Sequence, residues 1–448
     1  MTKFSFIALL ILAIVSCNKP NNVTVGIRID GAAADVNPVI VAGDSTYEMT
    51  LDSTGFASVV ITGLTEPTEA AFKYGRMRIP LYLTANENLE ISFNAQDRKS
   101  QPAFTGAGAL KNEVLNGKYF AVAQPDFKLE EQDFINSLNE AVAKYAYVLD
   151  SLKLDPQFSN LMKQKTKYRT LSTAAMYPTY HPWMLKLEEY TLPETYNEYI
   201  KSLIVEDEAL LHLAEYKSAL ASLVSAYATK DIKEYDALVR VQAQLDYVNN
   251  NITNPKIAEF LVDKYTTDFV GAVGVDNLDA VAETYNTKVT DPKLKEKFDA
   301  LCAQWAKVAK GQPSPSFKYL DINGKEVSLN DLAGKYIYVD VWATWCGPCR
   351  GELPSLKEME HQFKNKNIHF VSISCDQDKA AWEKMVKEDK LEGIQLHMGG
   401  DQTFMDAYMI RGIPRFILID REGKIVSADM TRPSNAKTAE TLNALEGI

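Results

Sequence analysis

The sequence has no excess of positive charge. Its 448 residues contain 48 lysines and arginines against 59 aspartates and glutamates, and the formal net charge is −11. Proteins that bind nucleic acids neutralise phosphate groups with clustered lysine and arginine. The sequence contains no such cluster. The composition therefore argues against both nucleic acid and anionic lipid surfaces as partners.

Long apolar runs are also scarce. The clearest run, from Phe4 to Val15, follows Lys3. It is shorter than the roughly 20 residues that a membrane-spanning helix needs, and it is typical of a signal peptide. Residues 14–17, Ile-Val-Ser-Cys, resemble a bacterial lipobox, in which the cysteine becomes lipidated. We predict a lipoprotein signal peptide over 1–17 and a lipid anchor at Cys17, which places the chain on a membrane of a bacterial envelope, facing the periplasm. A plain secretory signal or a membrane anchor is the alternative.

Cysteine is rare, with five in the chain, yet Cys346 and Cys349 stand three residues apart. They follow an apolar segment, residues 339–343, that has the character of a strand. Two thiols at i and i+3 on the first turn of a helix can close a small disulfide ring, and the helix N-terminus stabilises a thiolate. The pattern indicates a dithiol that exchanges electrons with the disulfides of other proteins.

Two other sites use similar cysteines. The cysteine pair could form half of a structural zinc site, with His361 and His369 as the other two ligands. The spacing of these histidines lies outside that of zinc fingers, which argues against zinc. A peroxiredoxin would place proline and threonine before its attacking cysteine, where this chain has Val339 and Ala343. We therefore expect no metal and no cofactor other than the cysteine pair itself.

The flanks of the pair carry a family resemblance. Pro354 follows five residues after Cys349, and the segment Gly412-Ile413-Pro414 precedes a second apolar strand. With these motifs, the chain from about residue 312 to its end resembles the TlpA/ResA branch of the thioredoxin superfamily, which comprises membrane-tethered thiol-disulfide oxidoreductases. The resemblance covers about 30% of the chain and implies a C-terminal α/β fold of the thioredoxin type.

The resemblance also implies a role for individual residues. Cys346 matches the nucleophile and is expected to point its sulfur toward solvent, while Cys349 matches the resolving thiol. Asp340 matches the buried carboxylate beneath the dithiol, suited to removing the Cys349 proton. Glu352 matches an acidic residue of this branch, and Pro414 matches a cis-proline that faces the dithiol.

A client-docking surface follows from the same resemblance. It would comprise Trp342, Trp345, Gly347, Pro348 and Ile413, with a place in the core as the alternative for Trp342. The remaining two cysteines outside the signal peptide are expected to be structural, because free cysteine is commonly buried as a small apolar residue.

The rest of the chain divides by periodicity. Residues 18–105 alternate between apolar and polar with glycine, aspartate and asparagine between the runs, which predicts a small antiparallel β-sandwich. Over residues 106–310 apolar residues recur at three and four, as from Phe134 to Leu152, which predicts an all-α domain. A linker rich in proline opens the thioredoxin-like domain at 311–448. We thus expect a multidomain protein of three parts.

These features favour an envelope oxidoreductase that reduces disulfides of exported proteins. Its electrons would come from a membrane thiol transporter, because no flavin or nicotinamide motif is present. The alternative is an envelope binding protein whose first 310 residues recognise a ligand or partner, with the dithiol as an accessory. An oxidase or isomerase is a third option, distinguished by a redox potential well above about −200 mV.

Replacement of Cys17 by alanine tests the lipobox. We expect the variant to be released from the membrane or to remain unprocessed, because the lipid acceptor is missing. Mass spectrometry of the mature N-terminus is the measurement. An unmodified Cys17, or cleavage at another position, would contradict the lipoprotein prediction.

Overall fold

The computed structural model describes residues 21–97, 99–119, 124–233 and 236–448. The predicted signal peptide and Cys17 lie outside these residues. The chain divides into two compact units, the first ending at Thr191 and the second beginning at Leu192. Within the described residues, no helix is both long and apolar enough to cross a membrane. The three predicted domain boundaries stay predictions.

The N-terminal part of the first unit is built from two sheets of four strands, with the orders β4-β1-β7-β8 and β3-β2-β5-β6. One apolar cluster contains residues from both sheets, among them Ile27 and Phe72, because alternate residues of each strand turn inward. The strands are β1 (Val23–Asp30), β2 (Val39–Ala42), β3 (Ser45–Glu48), β4 (Phe56–Ile61), β5 (Thr68–Tyr74), β6 (Met77–Leu83), β7 (Leu89–Asn94) and β8 (Ala103–Thr105).

Strands β1 and β7 run parallel, with Ile27 opposite Ile91. The expectation of a wholly antiparallel arrangement is wrong for this pair. The physical reason is connectivity, since strands β2 to β6 lie between them in the chain and make a crossover connection possible. Alternation alone cannot tell the two pairings apart. The face-to-face sandwich itself stays a prediction.

The first unit continues with helices. Helix α2 buries Phe134, Leu138 and Tyr145, three members of the predicted apolar stripe. The helices of this unit are α1 (Ala109–Leu115), α2 (Glu131–Ser151), α3 (Pro156–Leu171) and α4 (Tyr177–Leu185).

The second unit begins with further helices, so the predicted helical middle region is observed. Asn254 caps helix α8 by accepting hydrogen bonds from the backbone of Lys256 and Ile257, and Pro255 occupies the first turn. Asp236 and Asp291 cap two other helices in the same way. The helices are α5 (Glu194–Ser202), α6 (Ala214–Ala228), α7 (Ala237–Asn251), α8 (Pro255–Val273), α9 (Asp279–Lys288) and α10 (Pro292–Trp305).

A sheet of seven strands with the order β10-β9-β13-β12-β11-β14-β15 completes the second unit. Its strands are β9 (Lys318–Asp321), β10 (Glu326–Ser328), β11 (Tyr336–Trp342), β12 (Ile368–Ser374), β13 (Ile394–His397), β14 (Arg415–Ile419) and β15 (Ile425–Ser427). The helices between and after them are α11 (Gly347–Gln362), α12 (Lys379–Glu388), α13 (Thr403–Ala407) and α14 (Ala436–Asn443).

Strand β11 lies inside this sheet, parallel to β12 and antiparallel to β14. All seven of its residues are buried. A strand covered on both faces reads as a continuous apolar run, which explains why this segment of the sequence hardly alternates. The end of β11 delivers the chain directly into the segment that carries the two cysteines.

Candidate redox site

Cys346 and Cys349 form a disulfide at the beginning of helix α11. Cys346 is the N-cap residue, and its Sγ accepts a hydrogen bond from the backbone N–H of Cys349 at 3.1 Å. Pro348 lies in the first turn, where its fixed φ favours a helix and its missing N–H costs no hydrogen bond. The sequence thus places the Cys346 sulfur at the positive end of the helix dipole, where a thiolate is stabilised.

The disulfide is almost entirely covered. Cys346 is 5% exposed and Cys349 is 2% exposed. The expectation that the Cys346 sulfur points toward solvent is therefore wrong for this disulfide form. The loop that holds Ile413 and Pro414 covers the sulfur, and the carbonyl oxygen of Ile413 lies 3.8 Å from Cys346 Sγ. The Ile413–Pro414 peptide bond is cis, as predicted.

The residues predicted to dock a client separate into two groups. Trp345 is 70% exposed beside the disulfide, and Gly347 and Pro348 are also exposed. Ile413 is half-buried. Trp342, in contrast, is completely buried.

Trp342 belongs to an apolar cluster that also contains Cys349 and Trp382 of α12. Its predicted contact with clients is wrong, because the last residue of the inner strand β11 turns its side chain into the core. The alternative prediction, a place in the core, is correct for this tryptophan.

Asp340 is a buried carboxyl group on β11, opposite Ser372 of the neighbouring strand. Burial and, after it, the negative charges of Glu360 and Glu352 together raise its pKa from 3.8 to about 8, while a hydrogen bond with Ser372 acts in the other direction. A carboxyl group with a pKa near that of a thiol can exchange a proton with it over a small free-energy difference.

Glu352 lies on α11 and is mostly buried. Its carboxylate accepts hydrogen bonds from the backbone N–H and the hydroxyl of Ser434, both at 3.0 Å. The guanidinium group of Arg432 is 3.8 Å away. Glu352 therefore ties the helix that carries the cysteines to the segment before α14.

Glu360 is a further buried carboxyl group that the sequence analysis missed. Its side chain lies against Gly393, where an added Cβ would come within 2.5 Å of Oε1. Burial and, after it, the negative charge of Glu392 raise its pKa from 4.5 to about 7, and the positive charge of Lys357 opposes the shift. The available signal was helical spacing, since Glu352, Leu356 and Glu360 recur at i, i+4 and i+8 on the buried face of α11.

Asp376 is the second residue that the sequence analysis missed. It follows β12, is 2% exposed and accepts hydrogen bonds from the backbone N–H of Thr344 at 2.9 Å and from its hydroxyl at 2.7 Å. The hydroxyl of Ser374 donates a third hydrogen bond at 2.8 Å. Thr344 stands two residues before Cys346, so Asp376 anchors the loop between β11 and the disulfide. Parallel pairing of β11 with β12 brings the two strand ends together, a fact that sequence spacing does not reveal.

The two other described cysteines are half-buried. Cys375 packs against the cluster of Trp342 and the disulfide, and burial raises the pKa of its thiol, as does the charge of Asp376. Burial likewise raises the pKa of the Cys302 thiol. Their predicted structural role stays a prediction. Across the described ranges, no group of three or more histidine, cysteine, aspartate or glutamate side chains is placed to hold a metal ion.

Comparison with known proteins assigns the family. The Redoxin family matches residues 309–445. The thiol-disulfide oxidoreductase ResA of Bacillus subtilis is 30% identical over 129 residues, which span 29% of this chain and 72% of that protein. The chain belongs to the ResA family of thiol-disulfide oxidoreductases. The ResA protein of Bacillus cereus is 29% identical over 129 residues, spanning 29% of this chain and 74% of that protein.

Solved structures also match this region. One is a putative thiol-disulfide oxidoreductase from Bacteroides vulgatus, which shares 70% sequence identity with the matched region. The match spans 30% of this chain and 90% of the Bacteroides chain, with a TM-score of 0.28. Another is a putative thiol:disulfide interchange protein DsbE from Chlorobium tepidum, which shares 29% sequence identity. The match spans 30% of this chain and 94% of the Chlorobium chain, with a TM-score of 0.27.

Membership of the ResA family confirms three predictions. The C-terminal region has the thioredoxin-like fold, the protein is an enzyme of thiol-disulfide exchange, and the resemblance to the TlpA/ResA branch is correct. Oxidoreductases of this fold use a redox-active cysteine pair without an external cofactor, and they act on disulfides. The match leaves residues 21–308 outside the family's shared region.

Substitution of Asp376 by alanine tests its hold on the loop. We expect the free energy of unfolding to fall by about 1–3 kcal/mol, because the substitution leaves the buried hydroxyl of Ser374 and the half-buried donors of Thr344 without their acceptor. The attack rate of the reduced protein on a small disulfide should fall as well, because the loop that carries Cys346 loses its anchor. Urea denaturation and stopped-flow kinetics are the measurements.

Thr344→Ser is the matched control, since serine keeps both donors to Asp376 and should stay near the parent protein. Unchanged stability and unchanged attack rate in Asp376→Ala would show that the loop does not depend on this carboxylate.

Proposed function

We propose that the protein reduces disulfides of exported proteins by dithiol-disulfide exchange through Cys346 and Cys349. The observation that carries the proposal is the disulfide at the start of α11, with the Cys346 sulfur as N-cap and the Ile413 carbonyl 3.8 Å away. The residues between the cysteines, Gly347 and Pro348, are those of thioredoxin, whose potential of about −270 mV is that of a reductant.

The first step is attack by the Cys346 thiolate on a client disulfide. A mixed disulfide forms between Cys346 and one client sulfur, and the other client sulfur leaves as a thiolate. The backbone N–H of Cys349 at the start of α11 stabilises the Cys346 thiolate, because it points toward the sulfur and the helix dipole favours negative charge there.

The second step releases the client. The Cys349 thiol loses its proton and attacks Cys346, the Cys346–Cys349 disulfide of the present structure forms, and the second client sulfur leaves as a thiolate. Two electrons have then passed from the protein to the client. Asp340 is the group assigned to accept the Cys349 proton, and its raised pKa of about 8 suits it to a thiol.

Client docking is assigned to the surface around the disulfide. Trp345 supplies an exposed aromatic face directly before Cys346. Gly347 and Pro348 lie between the two cysteines, and Ile413, which precedes Pro414, places its carbonyl oxygen 3.8 Å from Cys346 Sγ. Backbone groups near a cis-proline can pair with an extended client segment, as an added strand pairs with a sheet edge. We assign Glu352 to the same site as a positioning residue, because it ties α11 to Ser434.

We further propose that the protein is a lipoprotein anchored at Cys17 and faces the periplasm. An oxidising compartment requires a source of electrons for any reductant. A membrane thiol transporter would supply them by reducing the Cys346–Cys349 disulfide.

Substitution of Cys349 by serine should trap clients. The variant keeps the attacking thiol but loses the resolving one, so mixed disulfides with Cys346 should accumulate. Non-reducing electrophoresis with mass spectrometry of the captured species is the measurement. The matched control is Cys346→Ser combined with Cys349→Ser, which should trap nothing. Capture of the same proteins by the double variant would show that Cys346 is not the nucleophile.

Substitution of Asp340 by asparagine should slow resolution of the mixed disulfide and leave the initial attack less affected. In the parent protein, resolution should accelerate as the pH rises through about 8, because Asp340 becomes a base there. Asparagine should remove this pH-dependent acceleration and lower the rate of resolution by up to about 100-fold at high pH, the low end for general-base assistance. Stopped-flow measurement of both half-reactions across pH decides the matter.

Stability should change in a defined direction too. Because the folded protein holds the Asp340 proton up to about pH 8 and the unfolded chain releases it near pH 4, stability falls as the pH rises across this window. Asp340→Asn should therefore be stabilising near pH 8 and lose that advantage toward pH 4. Glu360→Gln is the control. It removes a charge that raises the pKa of Asp340, so it should lower the pH at which resolution accelerates without abolishing the acceleration. An unchanged resolution rate with unchanged stability in Asp340→Asn would remove Asp340 from the mechanism.

A further inference from the structure

The proline loop, residues 412–414, lies over the redox disulfide and is followed at once by Arg415. The carbonyl oxygen of Ile413 lies 3.8 Å from Cys346 Sγ, and Cys346 is 5% exposed. Arg415 is the first residue of β14, opposite Val341 of β11. Its side chain is only 12% exposed, although arginine usually lies at the protein surface. The proposed function gives this largely buried cation no role.

Two acceptors hold the guanidinium group of Arg415. Its Nη1 lies 3.0 Å from Oδ1 of Asp429, in an ion pair. The same nitrogen donates a hydrogen bond to the carbonyl oxygen of Ala272 at 3.4 Å. Ala272 lies one residue before the end of helix α8. The last carbonyl groups of a helix lack partners within the helix and carry partial negative charge, so an arginine stabilises them. Arg415 therefore joins the proline loop to the end of α8.

Asp429 is fixed to the same strand as Arg415. The backbone N–H of Met430 donates a hydrogen bond to the carbonyl oxygen of Phe416 at 2.8 Å. These two residues directly follow Asp429 and Arg415 in the sequence. The ion pair therefore connects two neighbouring segments at the sheet, and the bond to Ala272 is the contact through which Arg415 reaches the helical part of the second unit, helices α5 to α10.

The end of α8 is held by the segment that leads into the sheet. Gly274, which follows α8, has a φ of +85°, and a Cβ at this position would lie 3.0 Å from the ring of Trp305. Trp305 is the last residue of α10 and is buried. The carboxylate of Asp276 accepts a hydrogen bond from the backbone N–H of Lys310 at 3.1 Å. Lys310 directly precedes the junction with the thioredoxin-like region.

This junction, which the sequence suggested to be a linker, is bonded to the sheet. The backbone N–H of Gly311 donates to the carbonyl oxygen of Ile425 at 2.7 Å, and the N–H of Ile425 donates to the carbonyl oxygen of Gln312 at 2.8 Å. The N–H of Ser314 donates to the carbonyl oxygen of Gly423 at 2.9 Å. These bonds attach the junction to β15 and to the turn before it. The sheet and the end of α8 are thus parts of one bonded framework.

We propose that Arg415 is a positioning residue through which the helical part of the second unit holds the proline loop over the Cys346 sulfur. The proposal rests on the proposed reductase function and adds how protein clients are distinguished from small reagents. A held loop presents the Ile413 carbonyl at a fixed place to an extended client segment, which lowers the entropy cost of docking. The same loop covers the sulfur against small reagents that do not pair with it. Loss of the hold should therefore change these two classes of reaction in opposite directions.

Arg415→Met in the full chain tests the proposal, because methionine keeps an apolar stem and removes the charge and the donors. The first readout is reduction of the Cys346–Cys349 disulfide by the neutral reagent tris(hydroxypropyl)phosphine. The disulfide becomes two thiols, and the phosphine becomes its oxide with an oxygen atom taken from water. We expect this rate to rise by about 10-fold, the factor that one hydrogen bond to a charged group provides.

The second readout is reduction of an uncharged, disulfide-closed peptide by the reduced protein. In Arg415→Met, KM for this peptide should rise by about 10-fold, because the loop no longer waits in the docking position. The value of kcat should stay near that of the parent, because the sulfur chemistry at Cys346 is unchanged.

Arg411→Met is the matched control. Arg411 stands directly before the proline loop, its side chain is 80% exposed, and its substitution gives the same change in charge. Both readouts should stay near the parent values. Arg415→Lys keeps a positive charge opposite Asp429 and should lie closer to the parent than Arg415→Met does. A loss of stability in Arg415→Met with both readouts at the parent values would reduce Arg415 to a structural residue and overturn the proposal.

Gly274→Ala tests the helical part without a change in the thioredoxin-like region. The added Cβ meets the Trp305 ring, so the end of α8 must shift and its bond to Arg415 should weaken. Both readouts should move in the direction seen for Arg415→Met, and the double variant should show no added effect. Asp276→Ala, which removes the bond to Lys310, takes its place if Gly274→Ala does not fold. Parent values in the folded variant would show that the helical part does not act through Arg415, against the proposal.

The two readouts also separate this proposal from the proposed function. If the parent protein does not reduce the peptide, the reductase function is wrong, while the phosphine rate still tests the role of Arg415. If the parent reduces the peptide and Arg415→Met changes neither the phosphine rate nor KM, the function stands and the positioning role is wrong. A shift in only one of two measurable readouts would also contradict the proposal, because cover and docking depend on the same loop.

Discussion

The complete burial of strand β11 is the constraint on which the redox site depends. Neighbours on both sides hold this strand inside the sheet, so the point at which it leaves the sheet is fixed. The chain must then turn within a few residues into helix α11. The Cys346 sulfur comes to lie at the helix N-terminus because it is the last residue before the helix begins. Packing of an apolar strand thereby determines where a reactive sulfur is placed.

Burial has a second consequence, because the same core contains carboxyl groups. Glu352 accepts hydrogen bonds from Ser434 and lies near the positive charge of Arg432. Asp376 accepts hydrogen bonds from Thr344 and Ser374 and in this way anchors the loop before the disulfide. Asp340 has fewer favourable contacts, and its pKa is raised to about 8. Carboxyl groups of one chemical type therefore differ in character according to the partners that the fold supplies.

The helical part of the second unit adds a feature that the ResA family match does not include. Helices α6 to α8 lie within residues 214–273, whereas the Redoxin match begins at residue 309. The hydrogen bond between Arg415 and Ala272 joins the two parts at the residue that follows the cis-proline.

Features that depend on local spacing could be predicted from the amino-acid sequence. Two cysteines at i and i+3 after an apolar strand predicted the dithiol and its helix, and Gly412-Ile413-Pro414 carried the resemblance from which the cis-proline was inferred. Tertiary structure alone decided which groups from distant segments meet. Asp376 contacts Thr344 because β12 runs parallel to β11, and the proline loop covers Cys346 because β14 lies on the other side. The burial of Trp342 in the core and the parallel pairing of β1 with β7 have the same cause. The neighbours of a strand in space decide in which direction it pairs and which face it buries, and local sequence patterns do not encode those neighbours.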